Sequence, residues 1–177
     1  MNGTFLRERR YDIVDICEVH GTAYEQLNSE VRGGVRNADP MVWPVLECVA
    51  RLYRAHGARL EAHRDHVGMI QSGSAYPRAT ALRVRSDLKR SGRVSPAAFI
   101  NANAGAALAI CCTRFGFRGP TMNLTMPAAE ARTPVDVLAT RWLRQDSARY
   151  LILIAAEFDQ AKEVWVTGTL ISKPDSN

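Results

Sequence analysis

Arg114-Phe115-Gly116-Phe117-Arg118-Gly119-Pro120, running into Thr121-Met122-Asn123-Leu124-Thr125-Met126, is the stretch whose reading decides the fold. Gly116 reads as a helix stop, because glycine enters the left-handed conformation without a Cβ penalty. Gly119-Pro120 reads as a turn. Thr121 to Met126 then reads as a strand, with Met122, Leu124 and Met126 on one face and Thr121, Asn123 and Thr125 on the other. It carries no lysine, and proline stands only at its ends, so its edge is not blunted against a neighbouring strand.

Upstream, Ser95-Pro96 places a capping residue before proline at the first helical position. The segment behind it is rich in small residues: Ala97, Ala98, Ala102, Ala104, Gly105, Ala106, Ala107 and Ala109. Read as one helix, it is expected in the middle of the protein, where another backbone approaches closely. Gly105 in mid-helix costs about 1 kcal/mol against alanine and so needs a packing reason. Cys111 and Cys112 read as small core residues of that helix. Downstream, Thr133-Pro134-Val135-Asp136 repeats the cap-and-proline start, with an acidic residue three after the cap. Val135, Leu138, Ala139, Trp142 and Leu143 form an apolar face. Leu151 to Ala156 is a continuous apolar run, as in a strand covered on both faces. Glu163 to Ile171 alternates as a final strand before a polar tail at 172–177.

Towards the N-terminus, residues 11–20 read as a strand and 28–38, with Gly33-Gly34, as a loop. Asp39-Pro40 opens a helix whose inner face is Val42, Val45, Leu46, Val49, Leu52 and Tyr53, and Gly57 is its expected end. His63-Arg64-Asp65-His66 reads as a surface turn, since two histidines without a third ligand make a poor metal site. Residues 67–70 read as a buried strand. Gln71-Ser72-Gly73-Ser74 lacks the spacing of a phosphate loop. From Tyr76 to Lys89, apolar residues alternate with Arg78, Arg83, Arg85, Lys89 and Arg90, a basic and partly exposed helix. This order of elements predicts an α/β fold, a mixed sheet covered by helices, in a single domain over 1–177 with its core at about 11–171.

Hydrophobic content of 46% and 23% charged residues are globular values. No apolar run reaches the roughly 18 residues of a membrane span, so none is expected. Arg7, Arg9 and Arg10 are not followed by the apolar run of a signal peptide. Cys17, Cys48, Cys111 and Cys112 match no metal pattern and are expected to be reduced, in the cytoplasm. The net charge of +5 fits nucleic acid, an acidic protein partner or a solvated surface. Aromatics are not interleaved with the basic residues, so no nucleic-acid partner is expected.

From about Asp39 to Glu157 the sequence resembles the N-terminal half of a β-ketoacyl synthase, a member of the thiolase-like fold. The matching pieces are the helix after Asp39-Pro40, the strand at 67–70, Ser95-Pro96-Ala97-Ala98-Phe99, and above all Phe115 to Pro120 with the strand behind it. The segment ending in Ala155-Ala156-Glu157 resembles the part of the family that follows its nucleophile. The resemblance implies no cofactor and no metal.

Two departures follow from it. The family's nucleophilic cysteine starts the helix after the Gly-Pro strand, where the positive end of the helix favours a thiolate. Counting forward from Gly119-Pro120 places that position at Ala128, and counting back from Glu157 at Ala129. Alanine forms no thioester. The family's two catalytic histidines and its lysine belong to a C-terminal half with no counterpart here. A silent homologue paired with an active ketosynthase, a chain-length factor, has this character. The resemblance therefore implies a non-catalytic subunit that pairs with a full-length β-ketoacyl synthase and shapes acyl-chain elongation in polyketide or fatty-acid-like biosynthesis. Thr121 to Met126 would form the interface, as in the family, and Arg78, Arg83, Arg85, Lys89 and Arg90 would meet an acyl carrier protein. Residues 127–132 are expected as loop or distorted helix, with Thr133 as the cap. An alternative is an independent enzyme or acyl-binding module on half of this fold, with Asp65, His66 and Glu157 as its candidate residues.

Overall fold

The computed structural model describes residues 10–35, 37–160 and 163–174. Its centre is a five-stranded sheet in the order β1-β5-β4-β2-β3. The strands are β1 (Asp12–His20), β2 (Val67–Ser72), β3 (Thr121–Leu124), β4 (Tyr150–Phe158) and β5 (Val164–Ser172). β2 pairs in parallel with β3 and β4, whereas β5 runs antiparallel to both β4 and β1. The helices are α1 (Ser29–Arg32), α2 (Val42–Ala62), α3 (Arg78–Ser91), α4 (Pro96–Asn101), α5 (Ala106–Phe115) and α6 (Ala128–Arg144). The fold class is the expected one, a mixed α/β sheet with helices on both faces.

Strand alternation sends successive side chains to opposite faces, and each face has its own core. Val67, Met69, Ile152, Ile154, Val166 and Leu170 meet Val45, Val49 and Leu52 of α2 and Cys111 of α5. Ile70, Leu151 and Ile171 meet Ala139 and Leu143 of α6. Burying a side chain of this size is worth about 1.5–3 kcal/mol. Tyr11 ties the start of the chain to α6. Its hydroxyl donates to Asp136 at 2.7 Å, and burial with that bond pushes the phenol up to about 12. Arg10 pairs with the same carboxylate at 2.6 Å, whereas Arg7 and Arg9 lie outside the described residues. Among the described residues no helix is long and apolar enough to cross a membrane.

The Gly119-Pro120 turn is held by close backbone contact. A Cβ on Gly119 would stand 2.6 Å from the Val67 carbonyl, so β3 can start beside β2 only because this position has no side chain. Gly116 ends α5 in the left-handed conformation, at φ 70°, as its sequence position predicts.

Besides the short helix α1, Ser29–Arg32, which stands within the expected 28–38 loop, four local expectations need correction. Gly57 does not end α2. The helix kinks at His56, where the imidazole Nε2 stands 2.9 Å from Asp15 Oδ2, and then continues until fully buried Leu60 is in place. The small-residue run is not one buried helix. It splits at 102–105 into α4 and α5, because the Asn103 side chain accepts from the Gly105 N–H at 2.8 Å and stops the first helix. α4 lies on the surface, with Phe99 and Ile100 exposed, and Gly105 caps α5 rather than sitting in mid-helix.

The third correction concerns residues 127–132. They are neither loop nor distorted, and Thr133 is no cap: α6 runs unbroken from Ala128, with Pro134 inside it. The start is fixed from outside, since the Ala128 N–H donates to Glu157 and the Ala131 side chain is fully buried. These contacts outweigh the cost of an interior proline. The fourth is the length of β3, which ends at Leu124. The Met126 carbonyl is drawn away to accept from the Gly73 N–H at 2.8 Å, so Thr125 and Met126 are not paired strand.

Candidate functional site

In open α/β sheets, ligands bind beyond the carboxyl ends of parallel strands, where neighbouring strands send their connections in opposite directions. Here that place lies between β4, which leads to β5 on one side, and β2, which leads towards β3 on the other. The residues that meet there are Ser74, just past β2, and Glu157, near the end of β4. Ala128, at the start of α6, joins them.

One carboxylate ties the three segments together. Glu157 Oε2 accepts from the Ser74 N–H at 2.9 Å and also from the Ser74 hydroxyl. Glu157 Oε1 accepts from the Ala128 N–H at 2.6 Å. Gly73 makes this approach possible: at φ 134° it holds a backbone conformation that side chains resist, and a Cβ there would overlap the Ala156 carbonyl. Burial pushes the Glu157 carboxyl up, but the Ser74 hydroxyl and the two amides outweigh it and hold the group below its ordinary value. Beside the junction lies a cleft of about 430 Å³ lined by Ser74, Tyr76, Pro77, Ala102, Met126 and Pro127, among others.

Such a carboxylate is a poor general base, since its pKa is lowered and both its oxygens already accept hydrogen bonds. It is well placed to neutralise the positive end of α6. Three of the four thiols are raised by burial. Cys48 and Cys111 are buried, and burial pushes their thiols, and that of Cys112, upward and away from the reactive thiolate. All four cysteines are free.

The sequence matches no protein-family model and no curated protein. Solved structures do share its architecture. The ketosynthase ApeO in complex with its chain length factor ApeC, from Xenorhabdus doucetiae, aligns at TM-score 0.64 and 10% identity, over 93% of this chain and 79% of that one. The ishigamide ketosynthase/chain length factor aligns at TM-score 0.67 and 14% identity, over 82% of this chain and 46% of the other. A β-ketoacyl synthase from Burkholderia phymatum aligns at TM-score 0.66 and 9% identity, over 94% and 59% respectively. The fold is thiolase-like. This chain thus spans about half the length of the second and third of these structures.

Within the thiolase-like frame, Ala128 and Ala129 both lie in the first turn of α6. The structure therefore brings one sequence-singled alanine, Ala128, into contact with Glu157. It does not bring Asp65 and His66 there. They precede β2, whose Val67 pairs with Tyr150, so Glu157 lies seven residues further along β4, about 20 Å away. Asp65 instead faces Arg118 at 3.5 Å. Among the described residues Thr121 to Leu124 form the sheet edge, bonded to β2 alone; Met122 is 39% exposed, whereas Leu124 leans on the α6-side core.

Arg78, Arg83, Arg85, Lys89 and Arg90 all stand exposed on α3. Sequence reading missed Arg93, just beyond the helix. With it, residues 78–93 hold six cations against Asp87 alone; of the chain's 23 cations and 18 anions, that leaves 17 of each elsewhere. The entire net charge of +5 therefore sits on this segment. Sequence reading also missed the joint made by Ser74, Glu157 and Ala128. The one local signal was a Gly-Ser turn following a buried strand.

Proposed function

We propose that this chain is a non-catalytic, ketosynthase-like subunit, of the chain-length-factor kind, that pairs with an active β-ketoacyl synthase. In that role it shapes acyl-chain elongation in polyketide or fatty-acid-like biosynthesis. The observation that carries this reading is the start of α6. Where the thiolase-like resemblance calls for a cysteine, the chain has alanine, Ala128 or Ala129 by the two counts, and the positive end of the helix is engaged by Glu157. A position without a sulfur, facing a resident carboxylate, favours structure over acyl transfer.

The open edge of β3 supports the pairing. Half of the hydrogen-bonding groups of an edge strand lack partners within the sheet, and a strand from a second subunit would satisfy them. The structures of ApeO with ApeC and of the ishigamide pair, which share this fold, are complexes of a ketosynthase with a chain length factor. The charge on 78–93 supports an acidic third component, an acyl carrier protein, drawn in by long-range attraction. Four free thiols suit a reducing compartment such as the cytoplasm.

The test is co-expression with a ketosynthase encoded beside this chain. The two should co-purify, and acyl label should appear on the ketosynthase only. Met122→Lys should abolish co-purification while leaving circular dichroism unchanged. Met122 is the better choice for this test than Leu124, which helps to cover the core. An acyl adduct on this chain, or a complex indifferent to Met122→Lys, would overturn the reading.

A further inference from the structure

At the end of the sheet away from Glu157, where β2 and β4 begin and β5 ends, lies a polar cavity of about 500 Å³. The volume is that of a small-molecule site. Four basic side chains from three segments line it. His63 and His66 come from the turn after α2, Arg149 stands just before β4, and Lys173 just after β5. Tyr150 lines it too, with the His63 ring against it at 5.7 Å between centroids.

One carboxylate lines the cavity, Asp146, and Lys173 donates to it at 2.8 Å. That bond and the charge of Lys173 hold the Asp146 carboxyl below its ordinary value, and Arg149 and His66 lower it further, so the charges that act on it are all basic. Arg149 makes no ion pair among the described residues. Of the nearby acids, Asp65 faces Arg118 at 3.5 Å, and Asp12, opposite Ser172 on β1, lies outside the lining. Basic side chains close to a helix C-terminus often serve to cap its carbonyls. Here the backbone does so. The Leu60 carbonyl of α2 accepts from the His63 N–H at 3.2 Å, and the Trp142 and Leu143 carbonyls of α6 accept from the Ala148 and Asp146 N–H groups at 3.2 and 3.4 Å. The cavity thus offers a guanidinium, an ammonium and two imidazoles against one carboxylate, and its field attracts anions.

We propose that this cavity binds the phosphoryl group of a small phosphorylated molecule, its oxygens held by Arg149, Lys173 and the two imidazoles. A planar guanidinium matches two phosphate oxygens at once, and the other three groups supply further N–H donors. This goes beyond the pairing reading and does not need a ketosynthase. The probe is inorganic pyrophosphate, titrated into the full chain by calorimetry at fixed ionic strength. Binding should be saturable, and acetate should bind at least about tenfold more weakly, having one charge and two oxygens. Arg149→Gln, at an exposed position, should weaken binding by about tenfold or more. Asp146→Asn should tighten it, since the change removes the competing charge and asparagine tolerates the left-handed backbone at φ 53°. Arg83→Gln with Arg85→Gln, on the basic face of α3, should leave it unchanged. On the unaltered chain, the imidazole proton signals of His63 and His66 should move with pyrophosphate, while those of His20 and His56 stay. No saturable binding, equal affinity for acetate, indifference to Arg149→Gln, weaker binding by Asp146→Asn, loss of binding in the α3 double variant, or still signals at His63 and His66 would overturn the proposal.

Discussion

The two flanks of strand β2 treat their polar groups in opposite ways. On the inner flank, where β2 meets β4, Ser74, Glu157 and the start of α6 join in three hydrogen bonds to one carboxylate. On the outer flank, β3 bonds to β2 and leaves its other side open. Both oxygens of Glu157 are engaged on the inner flank, one by Ser74 and the other by the first amide of α6. On the outer flank no strand among the described residues covers the edge at Thr121–Leu124. The contrast is between polar groups satisfied within the chain and an edge strand whose outer groups meet no strand among the described residues.

Breaking the inner flank should have the largest effect. Glu157→Ala removes the acceptor for the Ala128 and Ser74 amides and the Ser74 hydroxyl, and hydrogen bonds to a charged group are the strong ones. We expect a loss of about 2–3 kcal/mol in urea unfolding. The pH dependence follows in sign. The carboxyl is held below its ordinary value in the folded chain, so its contribution is complete above the unfolded value of about 4.3 and is lost as pH falls from there through the lower folded value. The unaltered protein should therefore lose stability more steeply than Glu157→Gln between about pH 5 and pH 3. Equal slopes would mean that the carboxylate is not held as described.

Pro134 gives the next effect, of opposite sign. An interior proline removes the N–H that the Glu130 carbonyl would otherwise accept. Pro134→Ala should stabilise the chain by about 1–2 kcal/mol, the helix gain being partly offset by a freer unfolded chain. If it destabilises instead, α6 depends on the proline. Ser74→Ala should give the smallest effect, about 1 kcal/mol, because the Ser74 N–H to Glu157 survives the change. A loss as large as that of Glu157→Ala would place the weight of the joint on the hydroxyl alone.

The strands were legible in the sequence because their signal is local. The apolar run of β4 and the glycines at 116 and 119 carry their meaning within a few residues. The helix starts were less so. The Thr133-Pro134 signal is sound chemistry, but it lost to Glu157, whose contact with Ala128 joins residues 29 apart in the chain. The Ser74–Glu157 bond spans 83 residues, and no periodicity announces it. Alanine content suggested a helix after Ser95 but could not say where it breaks, since alanine suits every helical position; the Asn103 side chain decides that. Ala128 was legible only through resemblance, because a missing sulfur has meaning only against a family that has one. The basic face of α3 was legible in outline, and only its share of the total charge needed Arg93.

Amide hydrogen exchange tests the contrast between the two flanks most directly. In the chain alone, the Ser74 and Ala128 amides should exchange slowly, while the outward amides of Thr121–Leu124 exchange fast. Adding the ketosynthase should slow the β3 amides strongly and leave Ser74 and Ala128 as they were. Unchanged exchange along β3 in a complex that has formed, or protection appearing at the Ala128 junction instead, would contradict the account.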